Sequence, residues 1–228
     1  MAAHRQDAHM KDADRTPPDP GYLGGPVPRS AWVIAAICIL TECVLAGADI
    51  GLWGKPWWRL TTYQYAGFWP GLLGDWRPNY AGQRWAMFAS YGFLHAGLWH
   101  LAVNMTTLFL LAGPVAARIG AQGFLRAYAV SLLGGAVGFA GLITAPTPMV
   151  GASGALFGLA GALLALEFDR RVARALPVRN VLAMVFGLAA GNAILAWTSG
   201  GALAWQAHLG GFVAGWLYAT AVAPRRAG

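Results

Sequence analysis

The run Gly151-Ala152-Ser153-Gly154-Ala155-Leu156-Phe157-Gly158-Leu159-Ala160-Gly161-Ala162-Leu163-Leu164-Ala165-Leu166 carries no charge and no proline, and decides how the rest of the chain is read. Ala and Leu favour helix, and the first charge is Glu167, where a charged run to Arg174 begins. The stretch reads as an apolar helix made to sit in hydrocarbon, short enough that its first turn starts below the membrane surface. Its one polar side chain, Ser153, stands in that first turn. Two further apolar stretches carry polar groups of the same kind, His100-Leu101-Ala102-Val103-Asn104 and Ala207-His208-Leu209-Gly210-Gly211. Such groups are costly on hydrocarbon-compatible helices, so their presence points to function.

The whole chain has this character. Of 228 residues, 57% are hydrophobic and 11% charged, against roughly a quarter charged in soluble domains; the mean hydropathy is +0.49. The expected fold is an all-α integral membrane bundle of six transmembrane helices, over about 31–52, 95–117, 124–144, 151–166, 178–197 and 203–222. Residues 53–93 are too rich in Pro and Gly for a span and too rich in Trp for an ordinary loop. They read as a long interfacial first loop at the headgroup layer. Residues 1–30 are expected to be a disordered cytoplasmic tail with no secretory signal peptide, 31–222 the membrane domain, and 223–228 a cytoplasmic tail.

The net charge is +7. Six spans would put twelve Lys and Arg on the side of both termini and four, all in the Trp-rich segment, on the other. That is a topology signal with cytoplasmic termini rather than a nucleic-acid footprint. Multi-pass residence in a cell membrane, the inner one in a bacterium, is expected. Cys38 and Cys43 are five apart on one helix and face different ways, so no mutual disulfide is expected.

Ser153, His100, Asn104 and His208 all fall on the outer side in that topology. His100 and Asn104, four apart, share a helix face and both can donate hydrogen bonds. Alone they fit either oxyanion donors or an interhelical clamp. Ser153 opens a helix whose first N–H groups lack intrahelical partners, beside Gly151 and Gly154, which admit a close-lying backbone. Alone it also fits a plain helix cap. His208 is the candidate base. Ala207, Gly211 and Gly215 beside it, and Gly154 and Gly158 on the serine helix, let the two helices touch. Glu42, Asp49 and Asp75 stand elsewhere, so a Ser–His dyad without a carboxylate is expected. His95 faces away from His100 and reads as a structural residue at a helix start. A zinc site of His95, His100 and His208 lacks an accompanying carboxylate base and a His-Glu-x-x-His motif. Glu42, an intramembrane carboxylate, is expected to be protonated or paired with bundle groups such as Thr41.

The sequence resembles the rhomboid family of intramembrane serine proteases. The resemblance rests on Phe93-Leu94-His95-Ala96-Gly97, His100-x-x-x-Asn104-Met105, Gly151-Ala152-Ser153-Gly154-Ala155 and Ala207-His208-x-Gly210-Gly211, in family order, and covers about 31–222. It implies cleavage of transmembrane protein substrates in the lipid bilayer, without metal or organic cofactor and without nucleic acid. It implies Ser153 as nucleophile, His208 as base, and His100, Asn104 and the Ser153 backbone N–H as oxyanion donors. Phe157 stands where the family often has Tyr, and either ring can stack on His208. The family's Trp-Arg pair before the first histidine is here Arg84-Trp85, reversed, with Trp76-Arg77 and Trp58-Arg59 further upstream. The alternative is a non-proteolytic rhomboid-like protein that binds or escorts membrane clients; such proteins usually lack the serine or histidine. No inverted repeat supports a transporter.

Overall fold

The computed structural model describes residues 24–142, 147–198, 200 and 203–223. The expected tails therefore lie largely outside the described residues. Within them regular structure is helical, apart from a single bridge between Phe68 and Met149. Helix α1 is Arg29–Asp49. The Trp-rich segment follows as α2 (Trp58–Ala66), a 3-10 turn at Pro70–Leu73, α3 (Gln83–Ser90) and a second 3-10 turn at Tyr91–Phe93. The run Leu98–Leu142 breaks at Gly120, whose φ of 77° and ψ of 165° are non-helical. Gly reaches that conformation without Cβ strain, so the run is two helices, α4 (98–119) and α5 (121–142). Then come α6 (Ser153–Ala173), α7 (Arg179–Thr198) and α8 (Trp205–Val222).

By length and composition, α1, the Leu98–Leu142 run and α7 are apolar enough to cross a membrane. Helices α6 and α8, which carry Glu167, Asp169 and Arg170, and Gln206 and His208, are not among them.

Packing centres on α8, which lies against both α5 and α6, while α1 lies against α4. Small residues make this possible. A Cβ on Gly211 would collide with the Gly154 carbonyl oxygen, and one on Gly215 with that of Gly158. On the other flank a Cβ on Gly134 would meet Ala214 Cβ, and one on Gly138 would meet Gly210 Cα at 2.8 Å. Between helices in lipid, this close van der Waals contact replaces the hydrophobic effect as the source of cohesion. The buried core includes Leu108, Phe124, Tyr128, Leu132, Leu156 and Leu159. By contrast, Val181 is the only buried residue of α7 among those described.

Several sequence expectations need correction. Glu42 is fully buried and its partner is not Thr41 but Arg59 of α2, which reaches it with Nη2 to Oε1 at 2.8 Å and Nη1 to Oε2 at 3.0 Å. Arg59 also donates from Nε to Asp49 Oδ2 at 2.7 Å. The hydrogen bonds to Glu42, above all, raise the Arg59 pKa even against the burial that lowers it. The charged run after Leu166 is not a loop: α6 continues to Ala173, because Glu167 accepts hydrogen bonds from Arg170 and Arg171, three and four residues on. Helix α1 begins at Arg29, inside the expected tail. Cys38 and Cys43 are both free thiols, as expected.

Candidate active site

The approach to Ser153 is set by the Trp-rich segment. Phe68 and Met149 exchange backbone hydrogen bonds at 3.0 and 2.9 Å, and the Gly151 N–H donates to the Tyr91 carbonyl at 3.0 Å. The Tyr91 hydroxyl in turn donates to the Leu132 carbonyl at 2.7 Å, fixing the segment to α5. Gly151 has φ +125°, and a Cβ there would lie 3.1 Å from His100 Nε2 and 2.8 Å from its Cε1. Only glycine therefore lets the His100 ring stand this close to the start of α6. Ser153 is the first residue of α6, so its N–H has no partner within the helix.

The close approach of α6 and α8 then brings Ser153 Oγ to 2.8 Å from His208 Nε2. Phe157, one turn on, stacks on the His208 ring, with centroids 4.2 Å apart and planes 6° from parallel. His208 Nδ1 lies 2.7 Å from Asn192 Oδ1 of α7. An amide oxygen only accepts, so this pairing puts the ring proton on Nδ1 and leaves the Nε2 lone pair for the serine hydroxyl. Asn192 was not singled out by the sequence. Its one signal there is a single polar side chain in the apolar stretch 181–197 of that helix.

The Ala96 N–H donates to His100 Nδ1 at 3.2 Å, so the neutral His100 ring carries its proton on Nε2, on the side of Gly151 and Ser153. A cavity of about 530 Å³ is bordered by His100, Ser153 and His208, with Tyr63, Met149 and Gln206. Asn104 is placed differently. It is 3% exposed, donates from Nδ2 to the His100 carbonyl at 2.8 Å, and does not border that cavity. His95 is fully buried. Its carbonyl accepts from Arg59 Nη1 at 2.9 Å and from the Tyr63 hydroxyl at 2.7 Å, and its ring meets His100 edge-on at 5.2 Å. A second cavity of about 520 Å³, apolar in character, lies between α6, α7 and α8, bordered by Phe157, Leu188, Asn192, Trp205, His208 and Phe212. His208 thus borders both cavities.

A family model described as the Rhomboid domain matches residues 81–225. The chain belongs to the rhomboid family. It is 31% identical to the rhomboid protease GluP of Bacillus subtilis over 137 residues, 59% of this chain and 25% of that protein. It is 31% identical to the mitochondrial rhomboid protein 1 of Saccharomyces cerevisiae over 190 residues, 75% of this chain and 49% of that one. The putative rhomboid protease YdcA of Bacillus subtilis matches at 31% over 134 residues, 58% of this chain and 52% of that protein. The chain thus spans about half the length, or less, of these relatives. As a rhomboid with long apolar helices, it is an integral membrane protein. The match begins at residue 81, beyond α1 and α2.

Proposed function

We propose that this rhomboid is an intramembrane serine endopeptidase that hydrolyses peptide bonds of other membrane proteins through a Ser153–His208 dyad. The observation that carries the reading is the 2.8 Å approach of Ser153 Oγ to His208 Nε2 at the wall of a cavity. The Ser153 hydroxyl donates its proton to Nε2 as Oγ attacks the scissile carbonyl carbon. The carbonyl oxygen becomes an oxyanion, stabilised by the Ser153 backbone N–H and by His100 Nε2–H; Asn104, bonded to the His100 carbonyl, is the candidate for a further donor through its second amide N–H. His208 then gives its proton to the leaving amine. In the second half it takes a proton from water as the water oxygen attacks the acyl carbon, and returns that proton to Ser153 Oγ as the ester bond breaks and the new carboxyl terminus leaves. The 530 Å³ cavity is the route for that water. Gly151 and Gly154 leave room for the substrate backbone, and a substrate helix must unwind locally to present its peptide bond. Segments rich in Gly, Pro or polar residues are therefore favoured.

The topology in this reading has six spans, α1 and α4 to α8, with both termini cytoplasmic and the Trp-rich segment external, in line with the Lys and Arg distribution. Exposed Trp53, Trp57, Trp58, Trp76 and Trp85 suit that segment to the headgroup layer.

The test is cleavage of a reporter single-span substrate by detergent-purified protein. Ser153→Ala and His208→Ala each abolish it while leaving the melting temperature near wild type. The double variant is no worse than either single one, because the two act as a unit. Substantial cleavage by Ser153→Ala would sink the assignment, and would leave the client-binding reading in its place if the activity then proved a contaminant.

A further inference from the structure

We propose that Asn192 is a positioning residue of the catalytic site, holding His208 in the one tautomer and ring rotation that can accept the Ser153 proton. This rests on the dyad reading. Two contacts constrain the ring, and they constrain different things. Phe157, stacked 4.2 Å away, fixes the plane of the imidazole but not which of the two orientations related by a half-turn about Cβ–Cγ it takes in that plane. It also treats both tautomers alike. The Asn192 Oδ1 at 2.7 Å from Nδ1 removes both freedoms: it selects the orientation with Nδ1 toward α7 and accepts only from a protonated Nδ1. With the proton there, Nε2 is a bare acceptor at 2.8 Å from Ser153 Oγ. Without Asn192 the proton moves freely to Nε2, and a ring in that tautomer cannot serve as base toward serine. The same amide oxygen also receives the N–H of the imidazolium that forms during attack, and the bond strengthens as the charge develops.

The position of Asn192 argues against a role in packing alone. Helix α7 has one buried residue, Val181, so Asn192 is not part of a tightly packed seam. A polar amide on an apolar helix is expensive in lipid, and here its carbonyl is spent on the catalytic histidine. The choice of amide over carboxylate fits the setting. A neutral acceptor orients the ring without placing a second ionisable group in a low-dielectric site, where an incompletely paired charge costs several kcal/mol. Asn192 therefore fills the orienting place for which the sequence offers no carboxylate.

The experiment compares wild type with Asn192→Leu and Asn192→Asp, detergent-purified, on the reporter substrate, with Ser153→Ala measured beside them. Leucine has nearly the shape of asparagine without the acceptor; aspartate keeps the acceptor. Asn192→Leu lowers kcat roughly tenfold, the value of one hydrogen bond, with KM little changed, and it slows fluorophosphonate labelling of Ser153 in parallel. Asn192→Asp recovers most of that loss. Asn192→Ala, which leaves space in place of bulk, must repeat the fall if leucine perturbs folding. Unchanged kcat in both the leucine and alanine variants, with a lowered melting temperature, makes Asn192 a clamp between α7 and α8 and overturns the proposal. So does an aspartate variant as slow as the leucine one. Cleavage surviving in Ser153→Ala is a different failure, that of the dyad itself.

Discussion

Asn104 and His100 pose the sharpest question at the scale of single residues, because one helix face gives them different surroundings. His100 borders the cavity and, with Nδ1 occupied by the Ala96 N–H, offers Nε2–H toward Ser153. Asn104 spends one amide N–H on the His100 carbonyl and is buried away from the cavity wall. If its second N–H reaches the oxyanion, Asn104→Ala lowers kcat by about 10- to 1000-fold, as for other lost oxyanion donors. KM barely changes, because the bond strengthens only in the transition state. If Asn104 serves only to hold His100 and its helix, the pattern inverts: the melting temperature falls and kcat per active site stays near wild type. Measuring kcat per fluorophosphonate-labelled molecule alongside the melting curve separates the two. The same scale shows what single residues disclose in a sequence. Ser153, His100 and His208 were legible because each sits in a short motif with small neighbours at fixed spacing. Asn192 has no such motif; it reaches His208 only through the way α7 faces α8, which no local pattern encodes.

Between elements, the least expected contact is the one from α2 to α1. Arg59 joins the buried Glu42 and the exposed Asp49, both on α1, to the His95 carbonyl just ahead of α4. One guanidinium thus ties the Trp-rich segment to α1 and to the turn that leads into α4. Arg59→Ala leaves Glu42 buried and unpaired, at a cost of about 3–5 kcal/mol, read as a lowered melting temperature. Replacing both partners, Arg59→Met with Glu42→Leu, recovers much of that loss. An Arg59→Ala protein that melts like wild type would contradict this account. The partners are 17 residues apart, on two helices joined by an irregular stretch over 50–57, so sequence spacing does not reveal the pairing, and the sequence leaves Glu42 either protonated or paired with bundle groups such as Thr41. Local pairing explains the opposite error: the run after Leu166 looked like a loop by charge, yet Glu167, Arg170 and Arg171 close ion pairs along one helix face. The contact of α6 with α8, by contrast, was legible, because Gly154, Gly158, Gly211 and Gly215 recur at the helical spacing that brings backbones together. The matching glycines of α5, Gly134 and Gly138, have no motif beside them to mark the contact.

For the molecule as a whole, the fold class followed from composition, since a chain this apolar has few ways to satisfy its backbone other than as helices. The expected spans fall on long helices, but the sequence leaves a connection over 118–123 where Gly120 alone divides α4 from α5, and it gives no sign of α2 and α3 inside the Trp-rich segment. Orientation is the remaining global property. With cytoplasmic termini, single cysteines at Gly67 or Gly82, placed in a Cys38→Ser, Cys43→Ser background, react with an impermeant maleimide from outside intact cells. Reaction at Arg171→Cys instead reverses the orientation. The central claim is that Ser153, activated by His208, is a nucleophile. It is tested most directly by treating the purified protein with a fluorophosphonate and locating the adduct by peptide mass spectrometry. The account predicts one adduct per molecule, on Ser153, lost in His208→Ala; no adduct on Ser153, or an equal rate of labelling in His208→Ala, would contradict it.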